Sequence, residues 1–177
     1  MIYTFVPYSS EKKFGKAINA HCRLVPSPDD WICVQDADLM HLVPDFGTIM
    51  EEYISLYPDA GLFTSITNRV GSIDQMYPGV FDEPNILEHR KIALKLRDKN
   101  RGKVTQLGKF ISGYLMLFKK STWEQCGGFH ETGILAIDNH FSSAIYNRQK
   151  KIYLMNGLYT FHLYRMDTGA SNKDHLL

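Results

Sequence analysis

Apolar positions follow two patterns along the chain: short continuous runs, and longer segments in which they recur at the period of a helix. The continuous runs are rich in β-branched and aromatic residues and predict strands over 2–6, 31–35, 60–66, 110–118, 152–154 and 158–161. The helical spacing predicts helices over 12–25, 46–56, 86–99, 121–126 and 138–148. The segment 68–85, between the strand predicted over 60–66 and the helix predicted over 86–99, is rich in Gly, Asp, Pro and Asn and predicts an irregular loop.

The first three elements predict a βαβ unit. The run from Trp31 to Gln35 shows no alternation of apolar and polar residues, which is typical of a strand buried on both faces in a parallel sheet. Ligands of such sheets bind beyond the carboxyl ends of the strands. We therefore expect an α/β fold with a mostly parallel sheet flanked by helices. It would form one domain over 1–166, followed by a polar, mobile tail over 167–177.

Composition and charge exclude several classes of protein. Hydrophobic residues make up 44% of the 177 residues and charged residues 22%, which argues against intrinsic disorder. Twenty Lys and Arg against nineteen Asp and Glu leave a net charge of +1, so a general nucleic-acid binder is not expected. The chain shows neither a run long enough for a membrane span nor a signal-peptide pattern, so we expect a cytoplasmic protein. The cysteines, Cys22, Cys33 and Cys126, lack metal-ligand spacing and are expected to be free thiols.

The sequence Asp36-Ala37-Asp38 directly follows the buried strand predicted over 31–35. Two carboxylates at a strand end can bind one divalent cation, and their oxygens suit Mg²⁺ and Mn²⁺. Such an ion can bridge to the phosphates of a nucleotide. The alternative is a turn or a helix cap, for which this tripeptide is also used.

Three other positions are candidates for chemistry. His162 follows the last predicted strand and can supply an imidazole as a third metal ligand, or can be a hydrogen-bonded structural residue. Asp138 opens the last predicted helix, either as its N-cap or as a general base that takes a proton from an attacking hydroxyl. Gly113 interrupts a predicted strand, where a glycine lets the backbone approach a ligand closely.

Five blocks of the sequence together resemble the family 2 glycosyltransferases, which have the Rossmann-like GT-A fold. The blocks are Val6-Pro7-Tyr8-Ser9, Gly15-Lys16-Ala17-Ile18-Asn19, the strand ending in Asp36-Ala37-Asp38, the segment from Ser112 to Glu131 with its Gly127-Gly128-Phe129, and Ile137-Asp138. The chain resembles a short member of the family, abbreviated in its nucleotide-binding part, because two βα units after the first strand are absent. It also has Ile137 where the family's acidic motif has Glu.

The resemblance implies transfer of a sugar from a UDP- or GDP-sugar to a hydroxyl of a glycan, a lipid-linked acceptor or a protein, as in polysaccharide biosynthesis. The transfer would be a single inverting displacement with Asp138 as the base. A Mn²⁺ or Mg²⁺ ion would be held by Asp38 and His162, with Asp36 beside them. The donor-binding residues implied by the resemblance are Pro7, Tyr8, Asn19, Asp36 and Gly113.

Two other classes of function stay open. The absent βα units favour a catalytically silent sugar-nucleotide or glycan-binding module, or a subunit that acts beside a partner or in a homo-oligomer. A haloacid-dehalogenase-type phosphatase also has Asp-x-Asp after a buried strand, with the first Asp as nucleophile. Those enzymes carry the motif on the first strand, usually followed by Thr or Val, whereas here Leu39 follows and a βαβ unit comes first.

Overall fold

A computed structural model describes residues 1–133 and 135–164. In this part of the chain, the strands β1 to β7 are Ile2–Phe5, Trp31–Gln35, Leu39–His41, Leu62–Thr67, Val104–Gln106, Leu115–Lys119 and Ile152–His162. The helices α1 to α5 are Phe14–Leu24, Phe46–Leu56, Ile86–Asn100, Lys120–Cys126 and Ile137–Asn147. The mobile tail expected over 167–177, with the last two residues of the expected domain, lies outside the described residues.

The strands form one mixed sheet in the order β1-β2-β6-β4-β7-β3, with β5 also paired to β7. Two pairs, β1–β2 and β4–β7, are parallel, and the other four pairs are antiparallel. The α/β class is confirmed, but the expectation of a mostly parallel sheet is wrong. Continuous apolar runs report burial on both faces and not strand direction: β6 is antiparallel to both of its neighbours, yet Leu115 to Phe118 are all buried.

The predicted helices agree with the structure within two residues at each end. The predicted strand over 110–118 begins only at Leu115, and the last two predicted strands are one strand, β7, whose register with β4 shifts opposite Ser65 and Ile66. The short strands β3 and β5 were not predicted, because three residues are too few to show a pattern.

Apolar side chains pack on both faces of the sheet. Along β2, Trp31 and Cys33 join the cluster under α2 and α3, whereas Ile32 and Val34 join the cluster under α1 and α5. With both faces covered in this way, the ends of the strands are where polar side chains reach a cavity. Cys22 and Cys33 are buried free thiols and Cys126 is a half-buried one. Within the described ranges, no helix has the length and apolar character needed to cross a membrane.

Candidate active site

Two strand ends meet at one edge of the sheet and bring together the acid pair and the imidazole. Asp36 and Asp38 lie between the end of β2 and the start of β3. His162 is the last residue of β7, whereas the sequence predicted that it follows the strand. It pairs with Leu39 of β3. The Leu163 N–H donates to the Asp38 carbonyl over 3.1 Å, which holds the two chain segments side by side.

The three side chains are close enough to share one cation. His162 Nε2 lies 3.2 Å from Asp38 Oδ1 and 3.6 Å from Asp36 Oδ2. One ligand atom from each residue lies within 4.8 Å of the other two. Adjacent ligands of an octahedral ion at about 2.1 Å are about 3 Å apart, so small side-chain rotations are enough to close the set around a divalent ion.

The imidazole of His162 is oriented with one ring nitrogen towards the acid pair. Its Nδ1 lies 3.0 Å from the carbonyl of Arg69, which only accepts, so Nδ1 carries the proton and Nε2 faces the acids. The side chain is 3% exposed, and Nε2 is buried without a hydrogen bond among the described residues. Stacked rings of Tyr114 and Tyr164, at 5.2 and 5.4 Å, fix the imidazole plane. Histidine ligands typically donate their second N–H to such a carbonyl.

The acids and the imidazole alter the protonation of one another. Burial alone would lower the pKa of His162, but its contacts with Asp36 and Asp38 outweigh burial and raise that pKa to about 9. The contact with His162 in turn lowers the pKa of Asp38, against the effect of burial. In the charged imidazole Nε2 also carries a proton. A cation that binds Nε2 must displace that proton, so the affinity of the cluster for a cation rises with pH.

Two buried amide side chains from one loop hold the backbone on both sides of the site. Asn68 Nδ2 donates to the His162 carbonyl over 3.1 Å, and the His162 N–H donates to Asn68 Oδ1 over 2.8 Å. Gln75 lies in a 3-10 turn at Ile73–Gln75. Its Nε2 donates to the Ser112 carbonyl over 3.0 Å, and the Ser112 N–H donates to Gln75 Oε1 over 2.7 Å. Sequence reasoning missed both residues, because a single amide in a polar loop indicates a turn and nothing in the local pattern shows what it binds.

Asp138 lies in the first turn of α5, at the other side of the site. It is not the N-cap, because Ala136 occupies that position and Asp138 is the second residue of the helix. Its Oδ2 accepts from the Gly113 N–H over 2.9 Å and its Oδ1 from the Asn139 N–H over 2.8 Å. Burial raises the pKa of Asp138, and the charge of Asp36 adds to the effect. A carboxylate with a raised pKa is suited to accept a proton.

Gly113 lines the cavity, but its closest neighbour is Asp138. A Cβ at this position would lie 2.6 Å from the Cβ of Asp138 and 3.4 Å from its Oδ2. The absence of a side chain at Gly113 therefore allows the backbone to reach the carboxylate of Asp138. Any contact of Gly113 with a donor stays a prediction.

A cavity of about 740 Å³ connects these groups. Asp36, Asp38, Asp138 and His162 all line it, together with Gly113. The other predicted donor-binding residues do not: Pro7 is buried elsewhere, Tyr8 is 81% exposed, and Asn19 lies outside the lining. The structure thus brings together the predicted metal ligands and base, and leaves the predicted contacts of Pro7 and Tyr8 with a nucleotide base untested.

For Asn19 the structure indicates a role different from the predicted one. Its Oδ1 accepts from Trp123 Nε1 over 2.9 Å and from the Phe129 N–H over 2.8 Å. Its Nδ2 donates to the Phe129 carbonyl over 2.8 Å and to Glu131 Oε1 over 3.1 Å. These four bonds use the whole hydrogen-bonding capacity of the amide, so no group of Asn19 is left for a donor.

The Gly15-x-x-x-Asn19 block is therefore a docking site for the segment that follows α4. A Cβ on Gly15 would lie 1.8 Å from the carbonyl oxygen of His130, and one on Gly128 would lie 2.9 Å from Asn19 Oδ1. The two glycines let the backbones meet, and the amide of Asn19 joins them. Two of the blocks that carry the resemblance thus bind each other and orient the chain leading to α5.

No protein-family model matches the chain, and no curated protein sequence matches it significantly. The features of this chain that point to a function are therefore the side chains of its shared cavity: Asp36, Asp38, His162 and Asp138.

Proposed function

We propose that the protein is a metal-dependent glycosyltransferase with a GT-A-like fold, which moves a sugar from a nucleotide-diphosphate sugar to a hydroxyl acceptor. One observation carries the proposal. Asp36, Asp38 and His162 converge on the wall of a cavity that also contains the carboxylate of Asp138. A mixed α/β sheet with helices on both faces supports the proposed fold.

The cluster of Asp36, Asp38 and His162 would hold the cation. When bound there, a divalent ion would supply positive charge to stabilise the departing diphosphate. The imidazole among the ligands favours a transition ion such as Mn²⁺ over Mg²⁺, which prefers oxygen ligands. Arg69 contributes through its carbonyl, which keeps Nε2 of His162 pointing at the acids.

Asp138 would act on the acceptor. It takes the proton of the acceptor hydroxyl while that oxygen forms a bond to the anomeric carbon of the sugar. The bond from the anomeric carbon to the diphosphate oxygen breaks, and its electron pair leaves with the nucleoside diphosphate. The N–H groups of Gly113 and Asn139 hold the carboxylate in place, at 2.9 and 2.8 Å. A single displacement of this kind inverts the anomeric centre.

The metal part of the proposal is tested by titrating the protein with Mn²⁺ in a calorimeter. We expect Asp38→Asn to lose Mn²⁺ binding, because it removes one of the two charged ligands. The matched control is Asp59→Asn, which changes an exposed aspartate outside the cavity. An unchanged Mn²⁺ affinity in Asp38→Asn would rule out the metal site.

The reaction is tested by nucleotide release from a panel of UDP- and GDP-sugars, with and without Mn²⁺. We expect Asp138→Asn to retain Mn²⁺ and donor binding and to lose transfer, since the amide cannot accept the proton. Normal transfer in Asp138→Asn would place the base elsewhere. Cleavage of p-nitrophenyl phosphate through Asp36 would instead indicate a phosphatase.

A catalytically silent binding module is the second candidate. It is favoured by the positions of Pro7, Tyr8 and Asn19, none of which lines the cavity with the acid cluster. A binder would take up Mn²⁺ and a glycan or sugar nucleotide in the calorimeter and release no nucleotide from any donor of the panel.

A further inference from the structure

Besides the acid cluster, the cavity is lined by apolar side chains that pack in one cluster. They are Phe14 and Ile18 of α1, Val34 of β2, Met116 of β6 and Ile137 of α5. We call these five residues the apolar wall. Two large exposed side chains also line the cavity: Phe110 is 60% exposed and Leu135 is 43% exposed. Exposed apolar groups that line a cavity are a common feature of binding sites.

The charge of the cavity restricts what can bind against this wall. Three carboxylates, those of Asp36, Asp38 and Asp138, line the cavity, and no Lys or Arg does so among the described residues. A divalent cation balances two negative charges, and the diphosphate of a donor brings further ones. The basic side chain in the described lining is that of His162, and its Nε2 already faces Asp36 and Asp38. Any other ligand that carries a carboxylate, sulfate or phosphate would then meet net repulsion from the three carboxylates.

Asp138 lies next to the apolar wall. It follows Ile137 of the apolar wall directly, and its carboxylate is bonded to the Gly113 N–H. A Cβ on Gly113 would lie 3.3 Å from Met116 Cε as well as 2.6 Å from Asp138 Cβ, so these groups are immediate neighbours. A molecule lying on the apolar wall can therefore present a hydroxyl to the carboxylate of Asp138.

We propose that the apolar wall binds an uncharged molecule with an apolar or aromatic face. Resting on the proposed function, this molecule is the acceptor, and its hydroxyl meets Asp138. Burial of an apolar face supplies binding energy that does not depend on charge, and the surrounding carboxylates exclude anionic molecules of the same shape.

The test uses two fluorescent probes that differ by one sulfonate group: N-phenyl-1-naphthylamine, which is neutral, and 8-anilinonaphthalene-1-sulfonate. Each is titrated against the full chain without added metal. We expect the neutral probe to bind with a rise in fluorescence. The affinity of the sulfonate probe should be lower by a factor of roughly ten or more. The substitution Leu135→Ser should lower the affinity for the neutral probe. Its matched control, Leu24→Ser, changes a leucine that is 73% exposed and outside the cavity, and should leave binding unchanged.

Three results would overturn the proposal. Equal affinity for the two probes would show that the carboxylates do not select against anions. An affinity for the neutral probe that is unchanged in Leu135→Ser would show that the probe binds elsewhere. Absence of binding by the neutral probe would show that the wall is not a binding surface.

A competition experiment separates this proposal from the proposed function. UDP and GDP, each with Mn²⁺, are added in turn to the complex with the neutral probe, and nucleotide binding is followed in parallel by calorimetry. If a nucleotide binds without displacing the probe, the wall is free for the acceptor. If a nucleotide binds and displaces the probe, the wall holds the nucleoside and the acceptor assignment is wrong. If neither nucleotide binds, the transferase proposal fails while the selectivity of the wall for uncharged molecules stands.

Discussion

Replacing Gly113 with alanine tests the contact that places Asp138. The new Cβ would lie 2.6 Å from the Cβ of Asp138, 3.3 Å from Met116 Cε and 3.4 Å from Asp138 Oδ2. Carbon atoms in favourable contact are about 3.5 to 4.0 Å apart, so Asp138 has to move by about 1 Å. The backbone of Gly113 is not in the left-handed region, so the methyl group itself is the whole perturbation.

The size of the effect follows from this overlap. Forcing an extra methyl into a packed site costs about 1 to 3 kcal/mol of unfolding free energy. Lengthening the 2.9 Å bond from the Gly113 N–H to Asp138 adds up to about 1 kcal/mol. A displacement of about 1 Å in a catalytic base lowers a rate by about a hundredfold, so the proposed transfer should fall by that factor.

The assay compares Gly113→Ala with Gly108→Ala by urea unfolding, Mn²⁺ titration and sugar transfer. Gly108 precedes the same segment, and a Cβ there would meet nothing within 4 Å, so its alanine variant should be as stable as the natural chain or slightly more stable. Gly113→Ala should keep its Mn²⁺ affinity, because the atoms nearest to the new Cβ belong to Asp138 and Met116. If the two variants are equally stable, the contact does not hold Asp138 and the reasoning is wrong.

Three further predictions concern groups around the site. Gln75→Leu should lower the unfolding free energy by about 3 kcal/mol in urea titrations, because three hydrogen bonds of a fully buried amide are lost. The control Gln106→Leu, at an exposed position, should change the unfolding free energy little. Burial lowers the pKa of His41 from 6.5 to about 4, so stability should fall by up to about 3 kcal/mol as the pH drops from 6.5 towards 4. His41→Gln should remove that part of the pH dependence, and an unchanged profile would contradict the assignment. Asn19→Ala should lower the free energy of unfolding by about 2 to 4 kcal/mol, because four hydrogen bonds are lost. A decrease of less than about 1 kcal/mol would show that Asn19 does not join α1 to the segment around Phe129.

Much of the secondary structure and part of the site could be predicted from the sequence. The helices and the buried strand before Asp36 follow from patterns of five to fifteen residues, and the period of apolar positions reports which face is buried. The acid pair was also visible, because Asp36 and Asp38 follow that strand directly. The hydrogen bonds of Asn19 to the segment around Phe129 could not be predicted, because a sequence motif does not show which partner a side chain meets.

Local patterns by themselves determined where the helices and most of the longer strands form, since the period of apolar positions depends on neighbours within a few residues. Only the tertiary structure decided the direction of β6 and the position of His162 beside the acids. It also decided that Asn68 and Gln75 hold the backbone of the site. Each of these depends on contacts between residues far apart in the chain. Such contacts are set by how the covered sheet packs as a whole, and no short window of sequence records them.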